Sequence, residues 1–372
     1  MNEQLKKLFM ENRGRPVSYA DFMETALYDP DLGYYSNPAV KVGKTGDFYT
    51  SPSIHQVFGA MFASVFINVI ESHGIAPRIA EFGGGTGTFA GAVLNAWKEK
   101  APETFNELEY IVIERSQYHR NMIKERMGVD KVKVFSTLEE AKRHFPAFEG
   151  IVFSNELLDA FPVDVVKQTE EGLQEVRLIC GSSGDLAETL VPATAVYSKW
   201  IDKYHRLPLT AGQRIEIPLH MEKWITDISA WLSRGYVFTV DYGYTAEEWQ
   251  HPARKDGSLR GYKEHMLIPK PYENPGAMDI TSHVHWDAFA AIGREQGLEL
   301  LKRMKQRDFL LEAGILKELQ ENYDPNPFSE KSRQNRAIRS FLMDGDISSS
   351  FDVYIQGKGL VEGERDIFPA GS

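Results

Sequence analysis

The chain has 372 residues, of which 42% are hydrophobic, enough for a sizeable core in one large or two intimate domains. A formal net charge of −11 argues against a nucleic-acid surface, which needs a basic stripe. One cysteine, Cys180, excludes an internal disulfide and a cysteine metal site.

The first residues, Met1 to Lys7, carry no secretory apolar run and are neither arginine- nor serine-rich. No stretch reads as the ~20 apolar residues of a membrane span. The expectation is therefore a protein of a reducing cytoplasm without a membrane span. Residues 1–75 read as a helical and lid segment packed on a core rather than a free-standing domain. Ser18 to Leu27 is predicted to be a short helix, with Ser18 as its cap and Asp21 at the capping-box position. A run rich in turn formers and aromatics follows, through Gly33-Tyr34-Tyr35 and Gly43 to Pro52, and reads as a lid. Val57 to Ile70 is apolar enough for a buried helix.

Arg78 to Ala90 reads R-I-A-E-F-G-G-G-T-G-T-F-A. It predicts a strand, a glycine turn and a helix. Glycine admits positive φ and leaves no Cβ in a ligand's way. The free N–H groups of the next helix then face that ligand. Gly85, Gly87 and Ala90 fit the G-x-G-x-x-G/A pattern of nicotinamide and flavin dinucleotides. The acid Glu81 before Gly83, Gly85 and Gly87 suits S-adenosylmethionine, whose methionine end carries an ammonium and a sulfonium. Both cofactors remain open on these residues.

Glu109 to Glu114 is a second apolar strand, as in a parallel sheet. Its terminal acid, Glu114, stands where ribose hydroxyls are bound in doubly wound folds. A helix is predicted over Gln117–Met127, a third strand over Val132–Phe135, and a helix cap at Ser136-Thr137. Gly150 to Glu156 is a fourth strand with a polar tip, so Asn155, Glu156 and Asp159 are expected to face the site of chemistry. Residues 76–164 thus form the first part of a nucleotide-binding core.

Residues 165–218 break the rhythm. Val165–Lys167 and Gln174–Cys180 look like paired strands, Leu190–Leu207 partly helical, and Gln213–Pro218 a strand. The segment reads as an insertion shaping a substrate groove. The core resumes over 219–372, with a helix at Leu219–Leu232 and a strand from Gly235 into Asp241-Tyr242-Gly243. A loop-rich stretch over 245–284, a helix at Trp286–Gln296 and a strand at Leu298–Met304 come next. A helical region over 307–343 and a last strand over 351–358 complete it. His283 and His285 would share one face, but no third ligand accompanies them and no metal is expected. The fold class is α/β, doubly wound.

Several of these motifs together resemble the MidA family of S-adenosylmethionine-dependent methyltransferases, which includes a mitochondrial complex I assembly methyltransferase. They are Tyr28-Asp29-Pro30-x-x-Gly33-Tyr34-Tyr35, Gly46 to Pro52, Gln56 to Gly59, Glu81 to Thr88 and Ser154 to Val163. Asp241-Tyr242-Gly243, Arg260-Gly261-Tyr262 and Pro275-Gly276-x-x-Asp279-Ile280-Thr281 complete the set. The chain departs from the family at Gly84 and Thr86, where proline and arginine are frequent, and at Ser53, His55 and Ala60.

The resemblance implies a class I methyltransferase (Rossmann-like) fold with S-adenosyl-L-methionine as cofactor. It also implies a protein partner as substrate, methylated on an arginine guanidinium in the mitochondrial member. In that frame Glu81, Gly83, Gly85 and Gly87 would hold the methionine end and Glu114 the ribose, with Ser136 and Thr137 near the adenine. Gly46, Thr50 and Ser51 would close over the cofactor. Asn155, which also borders the cofactor, would orient the acceptor with Glu156 and Asp159. The rivals are a nicotinamide oxidoreductase and a non-catalytic assembly or scaffold protein that keeps the pocket.

Overall fold

A computed structural model of the protein describes residues 3–12, 14–36, 52–128, 131–182, 184–263, 266–321, 326, 328–343 and 350–369. The expected lid residues Gly46, Thr50 and Ser51 lie outside them. The chain divides into two compact units. One comprises Met1–Tyr49, Leu157–Ile228 and Tyr242–Gln296; the other comprises Thr50–Glu156, Ser229–Asp241 and Gly297–Ser372. This partition differs from the four consecutive segments read from the sequence. Strand rhythm shows where elements change but not which distant segments share a core.

The second unit is built on a seven-stranded sheet. Its strands are β1 (Arg78–Phe82), β2 (Glu109–Ile113), β3 (Val132–Phe135), β4 (Phe148–Asn155), β5 (Leu232–Asp241), β6 (Glu299–Lys305) and β7 (Asp352–Lys358). They lie in the order β6-β7-β5-β4-β1-β2-β3. The run β3, β2, β1, β4, β5 is parallel, and β7 is antiparallel to both β5 and β6. This is the expected doubly wound α/β architecture. The interior strands are nearly all apolar because both faces of a parallel sheet are covered.

Helices α1 (Pro52–His73), α2 (Thr88–Lys100) and α3 (Gln117–Met127) belong to the same unit. Its core is aromatic. Phe62 and Phe66 of α1 meet Phe153 and Phe238, and Phe89 stacks on Phe153 with centroids 4.1 Å apart. One sequence expectation needs correcting here. Ile54–His73 is by length and composition apolar enough to cross a bilayer. In this fold its phenylalanines fill the core.

The first unit carries its own core. Ser18 caps the helix Tyr19–Tyr28, its hydroxyl accepting from the Asp21 N–H at 3.1 Å. Tyr19, Phe22, Met23, Ala26 and Leu27 on that helix are buried with Val163, Val165, Val176 and Leu178. Asp164–Thr169 pairs antiparallel with Gly172–Cys180, as expected. The region around Leu190 differs from its reading. Leu186–Pro192 is a strand paired along Gly172–Cys180, and only Ala195–Trp200 is α-helical, followed by a π-turn at Ile201–His205.

The stretch over 245–284 forms a small three-stranded sheet of Arg260–Lys263, Met266–Ile268 and Asp279–Thr281. The region 307–343 is also more broken than expected. Gln306–Glu312 and Glu330–Leu342 are helices, with a 3-10 turn Ile315–Glu318 after Gly314, whose φ of +87° ends the first helix.

Candidate active site

The glycine turn joins β1 to α2. Gly83, Gly85 and Gly87 have φ of +71°, +51° and +73°, left-handed values that cost other residues about 1–2 kcal/mol. The Gly83 N–H donates to the Ile113 carbonyl at 2.9 Å, tying the turn to β2. A Cβ on Gly85 would meet no described atom within 4 Å, so that side of the turn lies open to a ligand. Gly87 supplies no side-chain cap to α2, which leaves the first helical N–H groups for a polar ligand.

Two acids flank the turn. Glu114, 7% exposed, accepts from the Gly85 N–H at 2.9 Å through Oε2 and from the Ser116 N–H at 2.7 Å through Oε1. His119 Nδ1 lies 3.9 Å from the same Oε1. Glu81, 4% exposed, accepts from the Tyr110 hydroxyl at 2.7 Å. Burial pushes the Glu81 carboxyl up to about 7, with the Tyr110 hydrogen bond opposing and the nearby Glu114 charge adding to the rise. Tyr110 was not among the residues singled out from the sequence. Its signal was there in the two-residue period of E-Y-I-V-I-E, which sets Tyr110, Val112 and Glu114 on one face.

Ser136 and Thr137 follow β3. The Ser136 N–H and hydroxyl donate to Glu140 Oε2 at 2.8 and 2.7 Å. The Thr137 hydroxyl caps the helix Leu138–His144 by accepting from the Glu140 N–H. Both have local partners in the helix start.

At the tip of β4, Glu156 has φ of +48°, one of two non-glycine residues with positive φ among those described. Such strain persists where the surroundings enforce it and clusters at functional sites. Its N–H is held by the Val240 carbonyl of β5 at 2.9 Å. The Asn155 amide donates to its carboxylate at 3.2 Å. Loss of hydration against the protein raises the Glu156 carboxyl and the Asn155 bond lowers it. Much of the residue faces solvent, which tempers that rise.

Asn155 and Glu156 are thus brought together at one strand end, whereas Asp159 belongs to the first unit. There Asp159, 4% exposed, accepts from the Tyr242 hydroxyl, and its carbonyl accepts from the Ser282 N–H at 2.8 Å. Asp279, 3% exposed, accepts from the Tyr35 hydroxyl at 2.8 Å. Tyr28 stacks on Tyr35 with centroids 5.5 Å apart. Burial raises the Tyr35 hydroxyl far above its usual range, with Asp279, Tyr28 and Asp159 adding to the effect. Motifs spread from Tyr28 to Asp279 therefore meet in one cluster of tyrosines and carboxylates.

His283 and His285 are packing residues in this structure. His283 stacks on Tyr244 at 4.4 Å and His285 on Trp249 at 4.7 Å. Among the described residues no group of three His, Cys, Asp or Glu side chains is placed to hold a metal ion.

An open doubly wound sheet with a glycine turn, a bare helix start and acids at two neighbouring strand ends defines a nucleotide-cofactor enzyme. Comparison with known proteins narrows the class. The family described as "Putative S-adenosyl-L-methionine-dependent methyltransferase" matches residues 61–304, well over half of the chain, and the chain belongs to that family.

A crystal structure from Burkholderia thailandensis bound to S-adenosyl-homocysteine superposes with a TM-score of 0.83. It is 28% identical, over 96% of this chain and 92% of that one. A zebrafish protein named protein arginine methyltransferase NDUFAF7, mitochondrial, is 26% identical over 332 residues, 81% of this chain and 74% of that protein. Its human counterpart is 26% identical over 329 residues, 81% of this chain and 70% of that protein. The fold is that of class I methyltransferases, the cofactor is S-adenosyl-L-methionine and the protein is a methyltransferase. The nicotinamide reading falls away.

The cytoplasmic expectation is corrected by the same relatives, which are named as mitochondrial proteins. The composition of the first residues was no guide to compartment.

Proposed function

We propose that the enzyme transfers a methyl group to a guanidinium nitrogen of an arginine on a partner protein. The observation that carries this reading is Glu156 at the tip of β4, in the same unit as the glycine turn: a carboxylate at φ of +48°, fixed by the Val240 carbonyl and the Asn155 amide. A carboxylate held in place suits a guanidinium, which it can meet through paired hydrogen bonds. The names of the zebrafish and human relatives support the same acceptor.

The residues around the turn fit the cofactor: Gly85 allows close approach, the positive φ of Gly83 and Gly87 shapes the turn, Glu81 suits a cationic end, and Glu114 suits ribose hydroxyls. When bound, S-adenosyl-L-methionine supplies an electrophilic methyl on a sulfonium. The chain's own task is to hold the acceptor nitrogen in line, to exclude water and to take the proton that nitrogen releases. Asn155 orients Glu156, and Glu156, held in its strained conformation, receives the proton.

Incubation with labelled S-adenosyl-L-methionine and a lysate of the source cell, followed by mass spectrometry, should find the label on an arginine side chain. Label confined to another residue type, or to a small molecule, would overturn the reading. Glu156→Gln should keep cofactor binding and lose transfer by at least about a hundredfold; turnover at the wild-type rate would remove Glu156 from the mechanism.

A further inference from the structure

We propose that Tyr110 is a positioning residue of the cofactor site: its hydroxyl holds the Glu81 carboxylate ready for the positively charged end of S-adenosyl-L-methionine and thereby sets how cofactor affinity depends on pH. The inference rests on the assignment of Glu81 to the cofactor site.

The geometry comes from the parallel register of β1 and β2. Ile79 stands opposite Tyr110 and Glu81 opposite Val112, so the Glu81 side chain meets Tyr110 diagonally across the pair. Tyr110 is fully buried and Glu81 nearly so. A buried phenol needs an acceptor and a buried carboxylate needs a donor. At 2.7 Å each satisfies the other.

The titratable groups acting on Glu81 are Tyr110 on β2 and Glu114 at its tip. On the other side, β4 sets Phe153 in register with it. At the turn its carboxyl carbon lies 3.7 Å from where a Cβ of Gly84 would stand, beside Ile123 of α3. Burial and Glu114 both favour the neutral acid, and Tyr110 favours the anion. Tyr110 is therefore the group that keeps a charged partner available to a cation near neutral pH. This arrangement also gives the fully buried Tyr110 hydroxyl a function that packing alone does not require.

The test is calorimetric binding of S-adenosyl-L-methionine to the full chain, Tyr110→Phe and Glu81→Gln from pH 6 to pH 9. Comparing variants at each pH cancels the ligand's own ionisation. Tyr110→Phe keeps the ring, and Gln can still accept from Tyr110, so both variants retain the packing. Removing the hydroxyl raises the Glu81 carboxyl further. Tyr110→Phe should then bind about tenfold more weakly at pH 6, with the gap closing towards pH 9. Glu81→Gln should bind weakly throughout, with that pH dependence gone.

A Tyr110→Phe deficit of the same size at every pH, with Glu81→Gln impaired, would overturn the role of Tyr110 while leaving the site assignment standing. Wild-type affinity in Glu81→Gln at every pH would instead overturn the assignment of Glu81 to the site, and the inference with it.

Discussion

Glu81 carries a cost that the fold accepts. Its carboxyl titrates near 7 in the folded chain and near 4.5 when exposed. A carboxyl raised in this way leaves stability intact below pH 4.5. It removes stability as pH rises from 4.5 to 7, because the unfolded chain gives up its proton first. A shift of that size corresponds to about 3 kcal/mol. Denaturant unfolding of the cofactor-free wild type and Glu81→Gln should differ by this contribution, wild-type stability falling relative to the variant as pH rises from 4.5 to 7. A pH slope unchanged by the substitution would show that Glu81 is not the group responsible. The place of Glu81, Glu114 and the three glycines around the turn was legible in the sequence, because a strand, a glycine run and a helix follow one another there. Tyr110 could not be read so directly, because its partnership with Glu81 depends on the register of two strands 29 positions apart.

The strand, turn and helix from Arg78 to Lys100 hold the site through backbone conformation. Gly85→Val places a β-branched residue at φ of +51°. It should cost about 1–2 kcal/mol of stability. It should also abolish cofactor binding while leaving a folded protein with native circular dichroism. Intact methyl transfer by that variant would contradict the turn's role.

Elements whose signal is local agree closely with their sequence reading. Gln117–Met127 and Val132–Phe135 have the expected bounds, and Ser18 and Thr137 cap the expected helices. Elements defined by distant partners were harder to see. Leu186–Pro192 is a strand because Gly172–Cys180 pairs with it, and its apolar residues alone suit a helix equally well. The small sheet joining Arg260–Lys263 to Asp279–Thr281 was hidden in the same way, by a pairing across intervening turns.

At the scale of the whole molecule, each of the two units is assembled from three separated segments, so linear segmentation could not reproduce them. The doubly wound sheet was expected from the alternation of strands and helices, whereas its strand order and the tyrosine–carboxylate cluster around Tyr35, Asp159, Tyr242 and Asp279 emerged only in the structure. The first unit also has an acid weakness. Burial holds His205 and His283 down to about 4 and His285 well below its usual value. Stability held by such neutral histidines is present above pH 6.5 and is lost as pH falls from 6.5 towards 4, since the unfolded chain protonates first. The loss should reach several kcal/mol. A fluorescence-monitored acid titration should detect it through Trp249, which stacks on His285. His285→Phe should shift the transition to lower pH, and an unchanged midpoint would exclude His285 as a contributor.

The central claim is that S-adenosyl-L-methionine binds across the glycine turn with Glu114 as a direct partner. Calorimetric titration of the wild-type protein and Glu114→Ala against S-adenosyl-L-methionine tests it most directly. Loss of hydrogen bonds to a charged group costs about 1.5–3 kcal/mol, so the variant should bind at least about tenfold more weakly. Equal affinity in the two proteins would contradict the claim.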